Sequence, residues 1–98
     1  MGTPITDYTA FTNFINQHPK SIIMYTRQGC RYCTQMFPVV DEYQRSYSQV
    51  AFAMLDINTM PIDDLQGAPT FVGYRYGQPV NVVVGADPNG LRELIRSL

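Results

Sequence analysis

Two short apolar segments separated by a long amphipathic one restrict the folds open to this chain more than any other feature. Segments 21–26 (SIIMYT) and 50–57 (VAFAMLDI) are rich in β-branched and apolar residues on both faces, which is typical of strands buried inside a sheet. The stretch between them repeats apolar residues at spacings of three and four, which predicts a long helix. Its stripe consists of Met36, Phe37, Val40, Tyr43 and Tyr47. A strand, a helix and a second strand in this order predict a parallel pair with a right-handed crossover.

Capping residues predict a helix near each end of the chain. Thr6 and Asp7 are good N-caps for an amphipathic segment that ends before Pro19. Asp87 and Pro88 begin a second such segment, in which Pro occupies an early position that helices tolerate. Both segments carry apolar residues at helical spacing, so each is expected to cover a face of the sheet.

The remaining segments complete an α/β fold. Residues 59–66 predict a short helix or turn, and segments 70–76 and 80–84 flank the turn residues 77–79, which predicts an antiparallel hairpin. The hairpin adds two strands to the parallel pair. We therefore expect a four-stranded mixed sheet sandwiched between helices, in a single domain over residues 1–98.

Composition excludes several classes of partner. With 98 residues, 45% of them apolar, and a net charge of -1, the chain fits one folded globular domain. Its seven Lys and Arg residues form no basic stripe, so we expect no nucleic-acid binding. No run of about 18 apolar residues and no basic leader is present, so we expect no membrane span and a cytoplasmic location. We also expect the protein to be a monomer.

The only two cysteines, Cys30 and Cys33, lie where the first predicted strand gives way to the long helix. In open α/β sheets ligands bind at the carboxyl ends of the strands, so the position of the cysteines favours a functional site. A secreted domain of this size stabilised by disulfides would more often carry several spaced pairs. We therefore expect the cysteine pair to take part in a reaction rather than only to stabilise the fold.

Three stretches of the sequence resemble the thioredoxin family, whose C-x-x-C pair adjoins a βαβ unit. They are IIMYTRQGCRYC, TQMFPVVDEY with Pro38 five residues after Cys33, and GAPTFVGYRYGQPVNVVVGA. The resemblance implies a thioredoxin-like fold and a cis peptide bond before Pro69. It also implies that Ala68 offers backbone groups to an extended substrate segment, a form of strand addition.

Disulfide exchange requires a thiolate that a partner can reach. A helix N-terminus favours the ionised sulfur of Cys30, and Arg27 and Arg31 would add to this effect if they point towards it. We assign Cys30 as the nucleophile and Cys33, one helical turn on, as the resolving residue. The expected substrate-binding residues are Pro69, Ala68, Tyr32, Arg31 and Arg27.

Two other interpretations of the cysteine pair stay open at this point. A permanent local disulfide is one, although closing so small a loop removes little chain entropy. A metal or cluster site is the other, although zinc wants about four ligands and His18 is the only additional soft donor. We expect neither a metal nor a cofactor.

The active-site sequence departs from ordinary thioredoxins, which carry Trp before the first cysteine and Gly-Pro between the two. Here Gly29 precedes Cys30, and Arg31 and Tyr32 lie between the cysteines. Tyr before the second cysteine is similar to glutaredoxins, which use glutathione. The Arg31-Tyr32 dipeptide is expected to change the redox poise of the cysteine pair.

A second departure lies in the interior. Thioredoxins usually carry a buried aspartate and a lysine that are thought to help move the proton of the resolving cysteine, and the matching positions are Met24 and Met54. Losing one partner alone would leave an uncompensated buried charge, whereas an apolar pair is tolerable. We therefore expect Cys33 to act without that relay.

These features predict a thiol-disulfide oxidoreductase that reduces protein disulfides by dithiol exchange through Cys30 and Cys33. Electrons would come from a flavoprotein reductase or from glutathione. One alternative is a glutaredoxin-type enzyme acting on glutathione mixed disulfides, which would need only Cys30. The other is a redox-inert thioredoxin-like binding module.

Overall fold

The computed structural model describes residues 3–60, 65 and 67–98. Within these ranges the chain forms a mixed five-stranded sheet in the order β1-β3-β2-β4-β5, together with three helices. The elements are β1 (Thr3–Ile5), α1 (Tyr8–Gln17), β2 (Lys20–Thr26), α2 (Arg31–Ser46), β3 (Ala51–Asp56), β4 (Thr70–Arg75), β5 (Gln78–Val84) and α3 (Pro88–Ser97). The expected α/β sandwich of a mixed sheet between helices is confirmed.

The two apolar segments form a parallel pair at the centre of the sheet, as predicted. β2 and β3 run in register from Ser21 opposite Ala51 to Thr26 opposite Asp56. β4 pairs with β2 in the antiparallel direction, and β5 pairs with β4 in the same way. The carboxyl ends of β2 and β3 therefore meet at one edge of the sheet, where α2 begins.

The sheet has one strand more than the sequence predicted. Residues Thr3–Ile5 form β1, which pairs in parallel with β3, from Thr3 opposite Ala53 to Ile5 opposite Leu55. Ile5 is its single buried residue, and Pro4 is of the kind that is tolerated on an edge strand. A three-residue strand with one buried side chain leaves no period-two pattern, which is why the prediction missed it.

The predicted caps of the terminal helices are confirmed. The carboxylate of Asp7 accepts a hydrogen bond from the Ala10 N–H at 2.8 Å, and that of Asp87 accepts one from the Gly90 N–H at 2.9 Å. Each bond satisfies one of the N–H groups that a helix start leaves without an intrahelical partner. The helix α2 continues through Pro38, as expected from the unbroken apolar stripe.

The hairpin is confirmed, but its turn lies earlier than predicted. Tyr76 and Gly77 form the turn with φ of 52° and 80°, and β5 already begins at Gln78. Two consecutive positive φ angles are the signature of a type I′ turn, whose twist matches that of the strands. Pro79 therefore lies within the edge strand rather than in the turn. Most of the helix or turn predicted over 59–66 lies outside the described residues.

The core is divided into two clusters by the sheet. Side chains from β2 alternate between them, with Ile22 and Met24 on the face covered by α2 and α3, and Ile23 and Tyr25 on the face covered by α1. This alternation follows from the period of two along a strand. Within the described ranges no helix is long and apolar enough to cross a membrane.

Candidate redox site

Cys30 and Cys33 lie at the start of α2 and are joined by a disulfide bond. Cys30 is the N-cap, with extended backbone angles of φ -85° and ψ 106°, and Cys33 lies in the first helical turn. Their Cα atoms are 5.2 Å apart. The predicted place of both residues and the predicted intramolecular pairing are confirmed.

The sulfur of Cys30 occupies the position that a capping side chain takes at a helix start. The backbone N–H of Cys33 donates a hydrogen bond to the Cys30 sulfur at 3.1 Å. The N-terminal N–H groups and the dipole of α2 favour negative charge at this point. The fold therefore holds the sulfur where a thiolate is stabilised after reduction.

Gly29 makes the sharp approach to Cys30 possible. Its φ is +73°, a left-handed conformation that glycine adopts without the steric cost other residues incur. A β-carbon built on Gly29 would have no atom within 4 Å, so the backbone angle and not the space determines the residue. In this chain the connection from β2 to α2 therefore has a backbone conformation that favours glycine.

The two sulfurs differ in accessibility. Cys33 is 2% exposed and belongs to the core cluster on the α2 face, whereas Cys30 is half-buried and packs against that cluster from outside. A partner disulfide can therefore reach Cys30 far more readily than Cys33. This difference is what a division into nucleophile and resolving residue requires.

A groove of about 420 Å³ opens beside the cysteines, and we call it the cysteine groove. Its walls are the end of β2, the loop that follows, the first two turns of α2 and the end of β3, and both cysteines line it. The exposed residues Arg27 and Arg31 are on its wall, so the structure brings both predicted cations to the site. Tyr32 is 59% exposed and is not among the lining residues.

The sequence analysis missed five side chains of the cysteine groove: Thr26, Gln28, Thr34, Phe37 and Asp56. Thr26 and Asp56 are register partners at the carboxyl ends of β2 and β3. Because the carboxyl ends of neighbouring parallel strands meet at the same edge, the predicted parallel pair was itself the signal that could have found them.

Ala68 and Pro69 lie in the loop before β4, and neither of them lines the cysteine groove. The Ala68–Pro69 peptide bond is cis, as the resemblance implied, and Pro69 is fully buried. Ala68 is half-buried and packs against the cluster that contains Cys33. The carbonyl oxygen of Pro69 accepts a hydrogen bond from the Gly85 N–H at 2.7 Å, which ties this loop to the end of β5.

The interior next to the cysteines is apolar. Met24 and Met54 are direct register partners on β2 and β3, and Met24 is completely buried. Both pack in the cluster that contains Cys33. The two positions are therefore neighbours, as a coupled acid and base would need, but neither carries an ionisable group. Within the described ranges no cluster of His, Cys, Asp and Glu could hold a metal ion.

Two tyrosines on the other face of the sheet have raised pKa values. The hydroxyls of Tyr25 and Tyr74 share a hydrogen bond of 2.7 Å. Burial raises the pKa of Tyr25 far above its ordinary value, and the bond to Tyr74 adds to the effect. Burial also raises the pKa of Tyr74, although the bond from Tyr25 opposes this. The pair belongs to the second core cluster, on the face opposite Cys33.

Comparison with known proteins gives one consistent family. A family model described as thioredoxin matches residues 3–97. The chain is 30% identical to the mitochondrial thioredoxin-3 of Saccharomyces cerevisiae, over 98% of this chain and 79% of that protein. It is 24% identical to thioredoxin 1 of Plasmodium falciparum, over 93% of this chain and 91% of that protein.

A solved structure gives the same result. The crystal structure of mitochondrial thioredoxin 3 from Saccharomyces cerevisiae in its oxidized form superimposes with a TM-score of 0.94 at 30% sequence identity. The match covers 99% of this chain and 95% of that one. The similarity therefore extends over the sheet, the helices and the segment that carries the cysteines.

Proposed function

Because this chain belongs to the thioredoxin family and is a thiol-disulfide oxidoreductase, we propose that it reduces client proteins with Cys30 as nucleophile and Cys33 as resolving thiol. The observation that carries this assignment is the position of the Cys30 sulfur. It caps α2, it accepts the Cys33 N–H at 3.1 Å, and it is the more exposed sulfur of the two. A thiolate held in this way can attack, while the buried sulfur waits one turn further along.

The reaction proceeds in two exchanges. The Cys30 thiolate attacks one sulfur of the client disulfide, a mixed disulfide forms, and the other client sulfur leaves as a thiolate. Cys33, as its thiolate, then attacks the Cys30 sulfur and displaces the remaining client sulfur. The protein ends with the Cys30–Cys33 disulfide seen in the structure, and the client has gained two electrons.

The client segment is proposed to lie along the loop before β4. Ala68 would offer backbone groups to this segment, and its small side chain would leave room for an extended peptide. Pro69 would hold Ala68 in place, since it is fully buried and its carbonyl accepts a hydrogen bond from the Gly85 N–H. Arg27 and Arg31 would contact the client at the groove, and Tyr32 would contact it at the exposed side of the helix start. Its 59% exposure supports a role in binding rather than in packing.

The electron donor is proposed to be a flavoprotein reductase that uses NADPH, in keeping with the dithiol mechanism and the family. Glutathione is the second candidate, because Tyr32 before the second cysteine is similar to glutaredoxins. We further propose a monomer working in a reducing compartment, the cytoplasm, where clients are reduced rather than oxidised.

The test is a side-by-side assay of insulin disulfide reduction with reductase plus NADPH and with glutathione plus glutathione reductase. The proposal is supported if the wild type is active with reductase plus NADPH and if both Cys30→Ser and Cys33→Ser lose that activity. A Cys33→Ser variant that keeps full activity with glutathione would instead favour the glutaredoxin-type reaction. Activity that survives Cys30→Ser would remove the assigned nucleophile.

A further inference from the structure

The resolving step needs a place for a proton. Before Cys33 can attack, its S–H must ionise, and this thiol is 2% exposed. Its neighbours towards the interior include Met24 and Met54, neither of which can accept a proton. The proton must therefore leave on the other side, through the cysteine groove that Cys33 lines.

Asp56 is the acidic side chain on that route. It ends β3, faces Thr26 across the parallel register, and lines the same groove as both cysteines. Among the residues that the structure describes, no other carboxylate lines this groove. We propose that Asp56 accepts the proton of the resolving thiol of Cys33 by way of solvent in the cysteine groove, which rests on the function proposed above.

A second groove gives the proton an exit. Asp56 and Thr26 also line a groove of about 360 Å³ on the β1 side of the sheet, together with residues of β1. The carboxylate thus stands where the two grooves adjoin. One of its oxygens, Oδ1, accepts the Asn58 N–H at 2.8 Å, which orients the side chain.

The step balances in both directions. The proton passes from the Cys33 sulfur to the Asp56 carboxylate, and the resulting Cys33 thiolate attacks the Cys30 sulfur. A bond forms between the two protein sulfurs, the bond from Cys30 to the client sulfur breaks, and the client sulfur leaves with the electron pair and takes up a proton. When a donor thiol later reduces the protein disulfide, Cys33 leaves as a thiolate and recovers a proton from Asp56.

The charges around the groove determine in which direction the loss of Asp56 should change the exchange rates. Arg27 and Arg31 face the groove as cations, and Asp56 is its anion. A purely electrostatic Asp56 would oppose both thiolates, so its removal would speed both exchanges. A proton acceptor predicts the reverse for the second exchange, which slows when the carboxylate is lost.

The two exchanges can be timed separately with the disulfide of thionitrobenzoate. Attack by Cys30 releases one coloured thiolate at a rate that depends on disulfide concentration, and resolution by Cys33 releases the second at a rate that does not. In Asp56→Asn, whose amide oxygen can still accept the Asn58 N–H, we expect the second release to slow about tenfold or more at neutral pH. The difference in the rate of the second release between Asp56→Asn and the wild type should shrink as pH rises, because hydroxide then removes the Cys33 proton. The first release should keep its rate or become faster.

Matched variants separate this role from charge and from folding. Glu93→Gln removes the same charge from an exposed site on α3 and should leave both releases unchanged. Asp56→Glu keeps the carboxylate and should recover most of the second rate. A second release in Asp56→Asn as fast as in the wild type, or an Asp56→Glu variant as slow as Asp56→Asn, overturns the proposal.

Failure of the proposed function looks different. If Cys30 is not the nucleophile, the first release survives in Cys30→Ser, and if the cysteine pair is unreactive, the unaltered protein shows no first release. Should Asp56→Asn not fold, the second release of the unaltered protein is compared in light and heavy water. A slower release in heavy water supports proton transfer in this step, and an equal rate contradicts it.

Discussion

The backbone N–H of Cys33 points at the sulfur of Cys30 from 3.1 Å. One peptide group of Cys33 thus contacts the Cys30 sulfur, so the two cysteines are coupled before any client arrives. The spacing of two intervening residues is what allows this, because it places the third N–H of the helix over the capping atom.

The first prediction concerns the order in which the cysteines react. In the reduced protein at neutral pH, iodoacetamide should modify Cys30 well before Cys33, because Cys30 is capped and reachable whereas Cys33 is 2% exposed. Mass spectrometry of peptides from a timed reaction measures both. Equal rates of modification, or faster modification of Cys33, would contradict the assignment of roles.

The second prediction concerns the two arginines of the cysteine groove. Arg27→Gln and Arg31→Gln should each slow attack on the thionitrobenzoate disulfide about two- to fivefold at low salt, since a nearby surface charge contributes about 0.3–1 kcal/mol. Added salt should shrink the difference. Arg96→Gln, on the exposed side of α3 and paired with Glu93 at 3.8 Å, serves as the control and should change nothing.

The third prediction tests the turn into α2. Gly29→Ala should lower the free energy of unfolding by about 1–2 kcal/mol, because φ of +73° disfavours a side chain even where space is free. Gly67→Ala is the matched control, since its β-carbon would meet only Val84 at 3.9 Å and its φ is not positive. Urea unfolding measures both. If the two substitutions cost the same, the left-handed turn is not what selects glycine.

The fourth prediction follows from the tyrosine pair. The pKa of both Tyr25 and Tyr74 is raised, so the stability they provide is complete below the ordinary tyrosine pKa of 10.0 and is lost as pH rises above it. The melting temperature of the wild type should fall more steeply in alkali than that of the double variant Tyr25→Phe/Tyr74→Phe. Parallel slopes would show that the pair does not titrate with unfolding.

The fifth prediction concerns the buried methionines. Met24→Asp places a carboxyl group at a fully buried position opposite Met54 and should destabilise the protein by about 3–5 kcal/mol. Because the two positions are register partners, Met24→Asp/Met54→Lys should recover part of that loss. Denaturant unfolding measures both variants. A double variant no more stable than the single one would show that the two side chains do not meet.

Sequence patterns predicted those parts of the fold that repeat over several residues. The parallel pair followed from two apolar runs, and the helices followed from their stripes and from caps such as Asp7 and Asp87. The strand β1 was not predicted, because Ile5 is its single buried residue. The hairpin turn was placed too late, because Pro79 is a common turn residue whereas the turn is actually made by Tyr76 and Gly77.

The site was predictable where it depends on local sequence and not where it depends on register. Cys30 and Cys33 are neighbours along one helix start, so their spacing was sufficient. Asp56 is 23 residues beyond Cys33 in the sequence. It reaches the groove because β3 ends level with β2; the predicted parallel pair indicated a shared edge, but the register that places Asp56 opposite Thr26 came only from the structure.

The burial of Cys33 has a consequence for how long any covalent complex lasts. Under the proposed roles only the outer sulfur is captured, so each client is held through a single covalent bond. The inner sulfur then sets the lifetime of that bond, because the complex ends when it comes within reach. Release is thus intrinsic to the fold and requires no additional factor to evict the client.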